Sequence, residues 1–311
     1  MFGWAGAAAG KIREGAGGEV QLERPSLSGL AGFERNSKGS RMTISMTASL
    51  VMAAGRGSRM EGYAGNKTLL PLLPEDGPFV GRQPLILEIL KNLPAGPKAI
   101  VVHHREAEVR EATRHLDATY CRQPELNGTG GALIAAAPFI EKTSFDALLI
   151  TMGDVPLVEA STYGSLADGL AQHPFMVLGF KPREKRRYGL VEMGEDRVMR
   201  ITEWTYWKDY PPERQKRLTI CNAGIYAVRR EVLGRFLPVL ESRPHRVEKQ
   251  VNGARKTIEE YFITDLVDYL NEAGLTVGCR VVCDENEVMG VDDPESLRRA
   301  QEIYAMRRKK G

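Results

Sequence analysis

Short apolar runs alternate with amphipathic segments along most of the chain. The apolar runs have the length and residue types of buried strands, and they predict strands at residues 50–52, 99–103, 118–121 and 146–152. Between them, apolar residues recur every three or four positions, which predicts helices at residues 85–93, 106–116, 131–140 and 295–306. This alternation is typical of an α/β fold with a mixed, mainly parallel sheet that is covered by helices on both faces.

Residues 1–46 differ from the rest because they lack hydrophobic periodicity and are rich in glycine, alanine and serine. They have neither the basic start and long apolar core of a secretory signal nor the acid-poor composition of a transit peptide. We therefore predict a disordered extension over 1–46 and one folded domain over 47–311. The alternative is a translation start that has been assigned too early, with Met42 or Met46 as the true first residue.

The composition is that of an ordinary globular protein. The chain has 311 residues, of which 27% are charged, and a net charge of +3. That balance gives no general attraction to nucleic acid, and no stretch approaches the roughly 18 consecutive apolar residues of a membrane span. We expect a cytoplasmic protein that binds neither nucleic acid nor membrane, so any attraction to anions must be local.

Residues 204–212 are unusually aromatic and basic. Base stacking on a nucleic acid is one interpretation of such a segment. Local packing or a lid over a site is the other interpretation, and it is the one that we favour for a segment of this length between predicted strands.

The four cysteines lie in or beside apolar runs, which predicts buried, reduced thiols. Cys279 and Cys283 have the C-x3-C spacing, which puts both on one face of a strand. A zinc site would need two further ligands, and no His or Cys of a recognisable spacing supplies them.

The first predicted strand runs into a loop that combines small residues with cations. Gly55 and Gly57 lack a Cβ, so a phosphate can approach the main chain closely. Arg59 and Lys67 bring positive charge to it, and a helix beginning near Ser58 would add its N-terminal amides to the same field. The Rossmann dinucleotide motif needs a third glycine at position 60, and the Walker A motif needs one directly before Lys-Thr, so neither matches.

Two aspartates also follow short apolar runs. Asp154 comes directly after Gly153, and Asp292 comes shortly before the last predicted helix. Each is either a turn residue or a ligand for a hard cation, which takes oxygen ligands and bridges phosphates. Asp293 and Pro294 have a simpler interpretation as the N-cap and first-turn proline of that helix.

Several of these motifs, in the same order along the chain, resemble those of the sugar-phosphate nucleotidyltransferases, and most closely the uridylyltransferases among them. Residues 50–60 are similar to the L-A-A-G-x-G-x-R-M signature, 123–130 to the Q-x-x-x-x-G-T-G loop, and 259–265 to the G-E-Y-Y-I-T-D segment. The resemblance covers about residues 48–306. It implies a Rossmann-like nucleotide-diphospho-sugar transferase fold.

The resemblance also implies roles for individual residues. Catalysis is assigned to Arg59, Lys67 and Asp154, and Mg²⁺ is assigned to Asp154 and Asp292. Nucleotide contacts are implied for Met52, Ala53, Ala54, Gly55, Gly57, Gln123, Gly128, Thr129 and Gly153. Sugar contacts are implied for Gly189, Glu203, Asn222 and Thr264.

The implied reaction transfers a nucleotidyl group from an NTP, by resemblance UTP, to a sugar 1-phosphate such as N-acetylglucosamine 1-phosphate. It releases pyrophosphate, and the enzyme is expected to be a monomer or small homo-oligomer. Met152, Glu259 and Phe262 depart from the family pattern, so the sugar stays open, and Asn66 stands where the family usually has proline.

Two alternatives remain open from the sequence. Residues 66–72 also resemble the K-x-L-L-P-L segment of the molybdenum-cofactor guanylyltransferases, and related folds use CTP with non-sugar acceptors. The second alternative is a catalytically silent regulatory protein that binds sugar nucleotides. Relatives of that kind tend to lose the arginine, the lysine or a metal ligand, and this chain keeps all of them.

Overall fold

A computed structural model describes residues 44–251 and 254–310. The predicted N-terminal extension therefore lies almost wholly outside the described residues. Its last residues are described, and there the amide and hydroxyl of Ser45 and the amide of Met46 donate to the Asp146 carboxylate at 2.7–2.9 Å. These bonds fasten the chain immediately before the first strand.

The strands and helices alternate as the sequence predicts. In chain order the strands are β1 (Thr47–Met52), β2 (Pro71–Glu75), β3 (Gly77–Pro84), β4 (Lys98–Val102), β5 (Ala118–Arg122), β6 (Ala147–Met152), β7 (Phe175–Phe180), β8 (Leu190–Met193), β9 (Val198–Thr202), β10 (Cys221–Arg229), β11 (His245–Val251), β12 (Ala254–Glu260) and β13 (Val277–Val282). The α-helices are α1 (Leu85–Asn92), α2 (Glu106–Thr113), α3 (Gly128–Ala135), α4 (Ala137–Lys142), α5 (Ala160–Asp168), α6 (Trp204–Trp207), α7 (Pro212–Arg217), α8 (Arg230–Ser242), α9 (Asp265–Glu272) and α10 (Pro294–Lys310). None of the described helices is long and apolar enough to cross a bilayer.

The centre of the molecule is a nine-stranded sheet. Its main path runs β13-β7-β10-β6-β1-β4-β5, and the β8–β9 hairpin extends it from β10. The neighbouring strands along this path are parallel, except that β10 is antiparallel to both β6 and β7. All residues of β7 are buried, as are the inner residues of β1, which is typical of strands covered on both faces. The prediction of a mixed, mainly parallel sheet is confirmed.

Helices cover both faces of the sheet, and side chains alternate between them along each strand. On one face Leu50 and Ile150 pack with α3, α4, α8 and α9. On the other face Val51 and Leu149 pack with α1, α2 and α5. The arrangement leaves the ends of the strands as the places where loops can form a site.

A third apolar cluster holds the C-terminal helix to the body of the protein. Leu297 and Tyr304 of α10 pack against Leu72 of the β2–β3 hairpin. The side-chain amide of Gln301 donates to the carbonyl groups of Pro71 and Pro78 at 2.8 and 2.9 Å. The sequence patterns did not predict this hairpin.

Some helix boundaries differ from the predicted ones. The helix predicted at 131–140 is two helices, because Pro138 has no N–H and its ring clashes with a carbonyl group one turn earlier, so the chain breaks at Ala136 and α4 begins anew. The helix predicted at 106–116 ends at Thr113, three residues early, because the chain must turn before β5. The last helix extends to Lys310, where its basic residues suit the C-terminal end of the helix dipole.

The cysteine prediction is partly wrong. Cys121 and Cys221 are buried, and burial raises the pKa of the Cys221 thiol to about 12, so it stays protonated. Cys279 is half-buried in β13, but the strand ends at Val282 and leaves Cys283 exposed in the following turn. The C-x3-C pair therefore does not share one face of a strand.

Candidate active site

The carboxyl ends of parallel strands meet at one edge of the sheet and form a cavity of about 370 Å³ there. The strands β1, β5 and β6 deliver Gly55, Gln123 and Asp154 to it. The predicted nucleotide-binding residues that line this cavity are Met52, Ala54, Gly55, Gly57, Gln123, Gly128 and Thr129. The edge that the sequence motifs indicated is thus a real concavity.

Ala53 and Gly153, which were also predicted to bind the nucleotide, lie behind the cavity wall. Ala53 is buried, and its N–H and carbonyl groups bond to Val101 and Asn66. At Gly153 a Cβ would lie 2.8 Å from the Met52 carbonyl oxygen and 2.9 Å from the Thr68 methyl carbon. These residues shape the wall through close packing.

The loop after β1 does not form the helix that was expected near Ser58. It makes successive turns, beginning with the Met60 amide bonded to the Gly57 carbonyl at 2.9 Å. Gly57 and Gly62 have φ angles of +62° and +81°, which a right-handed helix excludes, so no α-helix begins near Ser58. On this side of the cavity, positive charge comes from Arg59 and Lys67, while the N-terminal residues of α3, Gly128 and Thr129, line the cavity from another side.

Lys67 joins the two predicted metal ligands. Its ammonium lies 2.5 Å from an Asp154 carboxylate oxygen and 2.8 Å from one of Asp292. Burial by itself lowers the pKa of Lys67, but the two carboxylates outweigh burial and leave the pKa raised. Lys67 therefore keeps its charge where only 12% of its side chain is exposed.

Arg59 reaches the same centre from the solvent side. Its guanidinium lies 2.9 Å from the Asp292 carboxylate, while 60% of its side chain is exposed. Arg59 and Asp292 also line a second cavity, of about 310 Å³. The predicted catalytic and metal-binding residues are thus gathered in one place, although Arg59 lies outside the first cavity.

The two carboxylates suit a divalent cation, because both already direct oxygens at one positive centre, the Lys67 ammonium. Magnesium prefers such oxygen ligands and often completes its shell with substrate phosphates. Within residues 44–251 and 254–310, no three or more His, Cys, Asp or Glu side chains are grouped to hold a metal by themselves. A metal at this site would need phosphate oxygens or water as further ligands.

Asn66, which in the sequence is only a departure from the family pattern, is a buried anchor beside the site. Its buried amide donates to the carbonyl groups of Ala53 and His104 at 3.2 and 2.8 Å. Its oxygen accepts from the amide and hydroxyl of Thr68 at 3.0 and 2.8 Å. Asn66 thereby fixes Lys67 against the loop after β1.

Gln123 is buried beside the loop that was predicted to read the base. Its amide nitrogen donates to the Asn127 side chain at 2.9 Å and to the Gly128 carbonyl at 3.2 Å. This leaves the amide oxygen of Gln123 to accept from a ligand, as the N–H of a uracil ring requires.

The base loop is bonded to the segment that carries Thr264. Main-chain bonds join the Gly130 amide to the Tyr261 carbonyl at 2.8 Å and the Tyr261 amide to the Asn127 carbonyl at 2.9 Å. The hydroxyl of Thr129 accepts from the Ile263 amide at 3.2 Å. The two loops therefore form one continuous wall.

The predicted sugar-binding residues also lie together. The Thr264 hydroxyl donates to the Glu203 carboxylate at 2.9 Å, and the main-chain N–H of Asn222 donates to the Gly189 carbonyl at 2.8 Å. A Cβ on Gly189 would lie 3.6 Å from a Glu203 carboxylate oxygen. Burial raises the pKa of Glu203, the Thr264 bond opposes this, and the charge of Asp265 adds to it.

None of these four sugar-side residues lines the first cavity directly. Met152 stands at the border, because it lines the cavity and lies 3.4 Å from where a Cβ on Gly224 would be. The amide of Gly224 in turn donates to the Asn222 side chain at 3.0 Å. Met152 therefore lies between the first cavity and the predicted sugar-side residues.

The aromatic segment at 204–212 packs against the sugar-side loop. The Trp207 indole N–H donates to the Tyr188 carbonyl at 2.8 Å, and the Arg187 guanidinium lies 4.8 Å from the centre of the Trp204 ring. These contacts agree with the interpretation as local packing.

Comparison with known proteins identifies relatives of this chain. The family model of the MobA-like NTP transferase domain matches residues 49–243. The bifunctional protein GlmU of Cereibacter sphaeroides is 31% identical over 274 residues, which are 86% of this chain and 54% of that protein. The bifunctional protein GlmU of Campylobacter jejuni subsp. doylei is 30% identical over 270 residues, which are 85% of this chain and 55% of that protein. The chain spans about half the length of these curated relatives.

A solved structure shares the fold. The uridine diphosphate N-acetylglucosamine pyrophosphorylase from Trypanosoma brucei, in complex with inhibitor, superimposes with a TM-score of 0.63 at 14% identity and covers 82% of this chain and 64% of its own. The nucleotide-diphospho-sugar transferase fold is thereby confirmed. Since the family model matches from β1 through α8, the chain belongs to the MobA-like NTP transferase domain family, a nucleotidyltransferase family as its motifs indicated.

Proposed function

We propose that the protein is a nucleotidyltransferase that joins the nucleotidyl group of an NTP to a sugar 1-phosphate and releases pyrophosphate. The observation that carries the proposal is the position of Lys67. Its ammonium pairs with Asp154 and Asp292 at the mouth of a cavity that the glycine-rich loop and Gln123 line. This combination suits a triphosphate whose base enters the cavity and whose phosphates remain at the mouth.

The acceptor needs no general base, because a sugar 1-phosphate is already anionic at neutral pH. The protein's task is then to position the two substrates for in-line attack and to balance charge as the transition state forms. Gly55 leaves room for the α-phosphate beside the main chain, and Lys67 and Arg59 stabilise negative charge that moves toward the leaving pyrophosphate.

Magnesium is the ion that fits the two aspartates, and Asp154 and Asp292 would hold it. When bound, it would offset the charge of the phosphates and lower the barrier to nucleophilic attack between two anions. Lys67 would then exchange its carboxylate partners for phosphate oxygens.

We assign UTP as the nucleotide and N-acetylglucosamine 1-phosphate or a similar sugar as the acceptor. Gln123 supports the first assignment through its free amide oxygen, and the Glu203–Thr264 pair supports the second, since a carboxylate and a hydroxyl can bind sugar hydroxyls. If the protein instead resembles the molybdenum-cofactor guanylyltransferases in function, the triphosphate would bind at the same site, and only the base and the acceptor would differ. The comparisons with GlmU proteins favour the sugar acceptor.

The test is pyrophosphate release by the purified chain with Mg²⁺, in which UTP, CTP, GTP, ATP and dTTP are each offered with a panel of sugar 1-phosphates. We expect turnover with UTP and one acceptor. Turnover with another nucleotide contradicts the base assignment. Nucleotide binding in calorimetry without any turnover contradicts the enzymatic proposal and favours a regulatory protein.

Two variants show whether the observed turnover comes from this site. Asp154→Asn removes a proposed ligand of Mg²⁺ and should lower kcat by about a hundredfold or more, because the metal would balance the charge of the transition state. Asp117→Asn changes an exposed carboxylate in the turn before β5, at the opposite edge of the sheet, and should leave kcat unchanged.

A further inference from the structure

The second cavity carries a group of arginines that the motifs do not explain. It has a volume of about 310 Å³, and Arg59, Arg186 and Arg187 all line it, together with Tyr188 and Asp292. Arg59 belongs to the loop after β1, whereas the other two arginines precede β8. Residues from distant parts of the chain thus bring three guanidinium groups to one concavity.

Arg186 and Arg187 are exposed, and an exposed arginine is usually a solvated side chain. Within the described part of the chain, however, neither forms an ion pair, although Arg186 is close enough to Asp293, which also lines the cavity, to help lower the pKa of that carboxyl. Arg183, in the same loop, pairs with Glu285 at 3.4 Å. The two arginines at the cavity therefore have charge available for a ligand.

The structure also restricts where these two side chains can go. The Trp204 ring lies against the Arg187 guanidinium, and Trp207 holds the main chain at Tyr188. Arg186 has a φ angle of +43°, a left-handed conformation that costs energy in a residue other than glycine. A loop that only carried solvated charge would need neither the aromatic support nor this backbone strain.

The cavity adjoins the candidate reaction centre. Lys67 lines the first cavity, Asp292 lines the second, and their ion pair of 2.8 Å joins the two. A triphosphate whose α-phosphate lies beside Lys67 can therefore continue past Asp292 toward the three arginines. The far end of that triphosphate carries the most negative charge.

We propose that Arg186 and Arg187 form a subsite for the β- and γ-phosphates of the NTP, and hence for pyrophosphate after the transfer. The proposal rests on the proposed function for its biological role. Guanidinium groups bind phosphate oxygens in a bidentate manner and neutralise charge that grows on the leaving group. In this arrangement Trp204 and Trp207, which follow the sugar-side Glu203 in the chain, also hold the loop that carries the two arginines.

Calorimetry with inorganic pyrophosphate at fixed ionic strength tests the subsite directly. Arg186→Gly removes the side chain and relieves the backbone strain, and Arg187→Ala removes the second guanidinium. We expect each to weaken pyrophosphate binding about tenfold, since hydrogen bonds between charged groups have about this effect. Uridine 5′-monophosphate has no β- or γ-phosphate, so it should bind to both variants with the same affinity as to the unmodified protein.

Arg183→Ala is the matched control, because Arg183 is in the same loop but does not line the cavity. Equal weakening by this control, or a double variant that binds pyrophosphate as before, overturns the subsite. A rise in KM for the acceptor without a change in pyrophosphate affinity also overturns it and assigns the arginines to the acceptor. Arginine-dependent pyrophosphate binding without turnover on any NTP supports the subsite and contradicts the proposed function instead.

Discussion

Gly55 and Gly164 have similar space around them but lie in different surroundings. A Cβ on either would have no heavy atom within 4 Å, yet of the two only Gly55 lines the first cavity, whereas Gly164 lies in α5. We expect Gly55→Val to fold normally and to raise KM for the NTP by at least about tenfold, since it separates the phosphates from their charged partners. Gly164→Val should alter neither KM nor the melting temperature noticeably. Melting curves and NTP titrations of both variants check this, and a low melting temperature for Gly55→Val would contradict it.

Glu203 gives the protein a pH dependence that can be measured in stability. Burial raises the pKa of Glu203 in the folded state, so the native protein binds this proton more tightly than the unfolded chain does. Its contribution to the unfolding free energy is therefore largest at low pH and is lost as pH rises from about 4.3, the ordinary value for glutamate, through the raised pKa.

Glu203→Gln removes this loss because a neutral amide does not titrate. The stability of the variant relative to the unmodified protein should increase as pH rises through that window. Urea unfolding at several pH values measures the difference. A difference that stays constant with pH would show that Glu203 does not titrate with a raised pKa.

At the level of single residues, several positions that the sequence motifs indicated lie together in the structure. Lys67, Asp154 and Asp292 were predicted from motifs, and the structure places a carboxylate oxygen of each aspartate within 3 Å of the Lys67 ammonium. Asn66 and Met152 were noticed as departures, but their contacts depend on side chains distant in sequence. Arg186 and Arg187 carried no motif, so only the cavity revealed them.

Among the structural elements, the loop after β1 depends on Asn66 for its attachment. Asn66→Ala leaves the carbonyl groups of Ala53 and His104 without their donor and Thr68 without its acceptor. We expect the unfolding free energy to fall by about 2–4 kcal/mol, because buried polar groups lose their partners. Asn92→Ala breaks a single bond, to the Val158 carbonyl at 3.0 Å, and should cost about 1 kcal/mol. Urea denaturation ranks the two variants, and an equal or reversed ranking would contradict this role.

The regular elements could be predicted where the hydrophobic pattern is long. The prediction fails where local chemistry interrupts that pattern. The strands β1, β4, β5 and β6 are rich in apolar and β-branched residues and were found within a few residues. The helix expected at 131–140 is divided because Pro138 interrupts its hydrogen bonds. The β2–β3 hairpin escaped prediction because β3 is mostly exposed and rich in glycine and proline, so it has no alternating pattern.

At the scale of the whole molecule, α10 packs against the β2–β3 hairpin, which is more than 200 residues earlier in the chain. The helix follows Asp292 directly and packs through Leu297 on the hairpin that comes soon after the first glycine-rich loop. Leu297→Ala should lower the unfolding free energy by about 2–5 kcal/mol, the usual cost of truncating a fully buried leucine.

Met306→Ala serves as the control in the same helix. The Met306 side chain is exposed, so this variant should change the free energy by less than about 0.5 kcal/mol. Guanidinium unfolding of both variants tests the prediction. If the two variants are equally stable, α10 does not contribute to the core.

The two-loop wall has a consequence for how specificity can change. The base loop and the segment before Thr264 share main-chain hydrogen bonds between Asn127, Gly130 and Tyr261. A substitution that shifts one loop to fit a different base must therefore move the other loop, which leads to Thr264, a proposed acceptor contact. We expect strongly non-additive effects when substitutions in the two loops are combined. Base and acceptor preferences would then be inherited together, and directed evolution of one should proceed through variants in which both have changed.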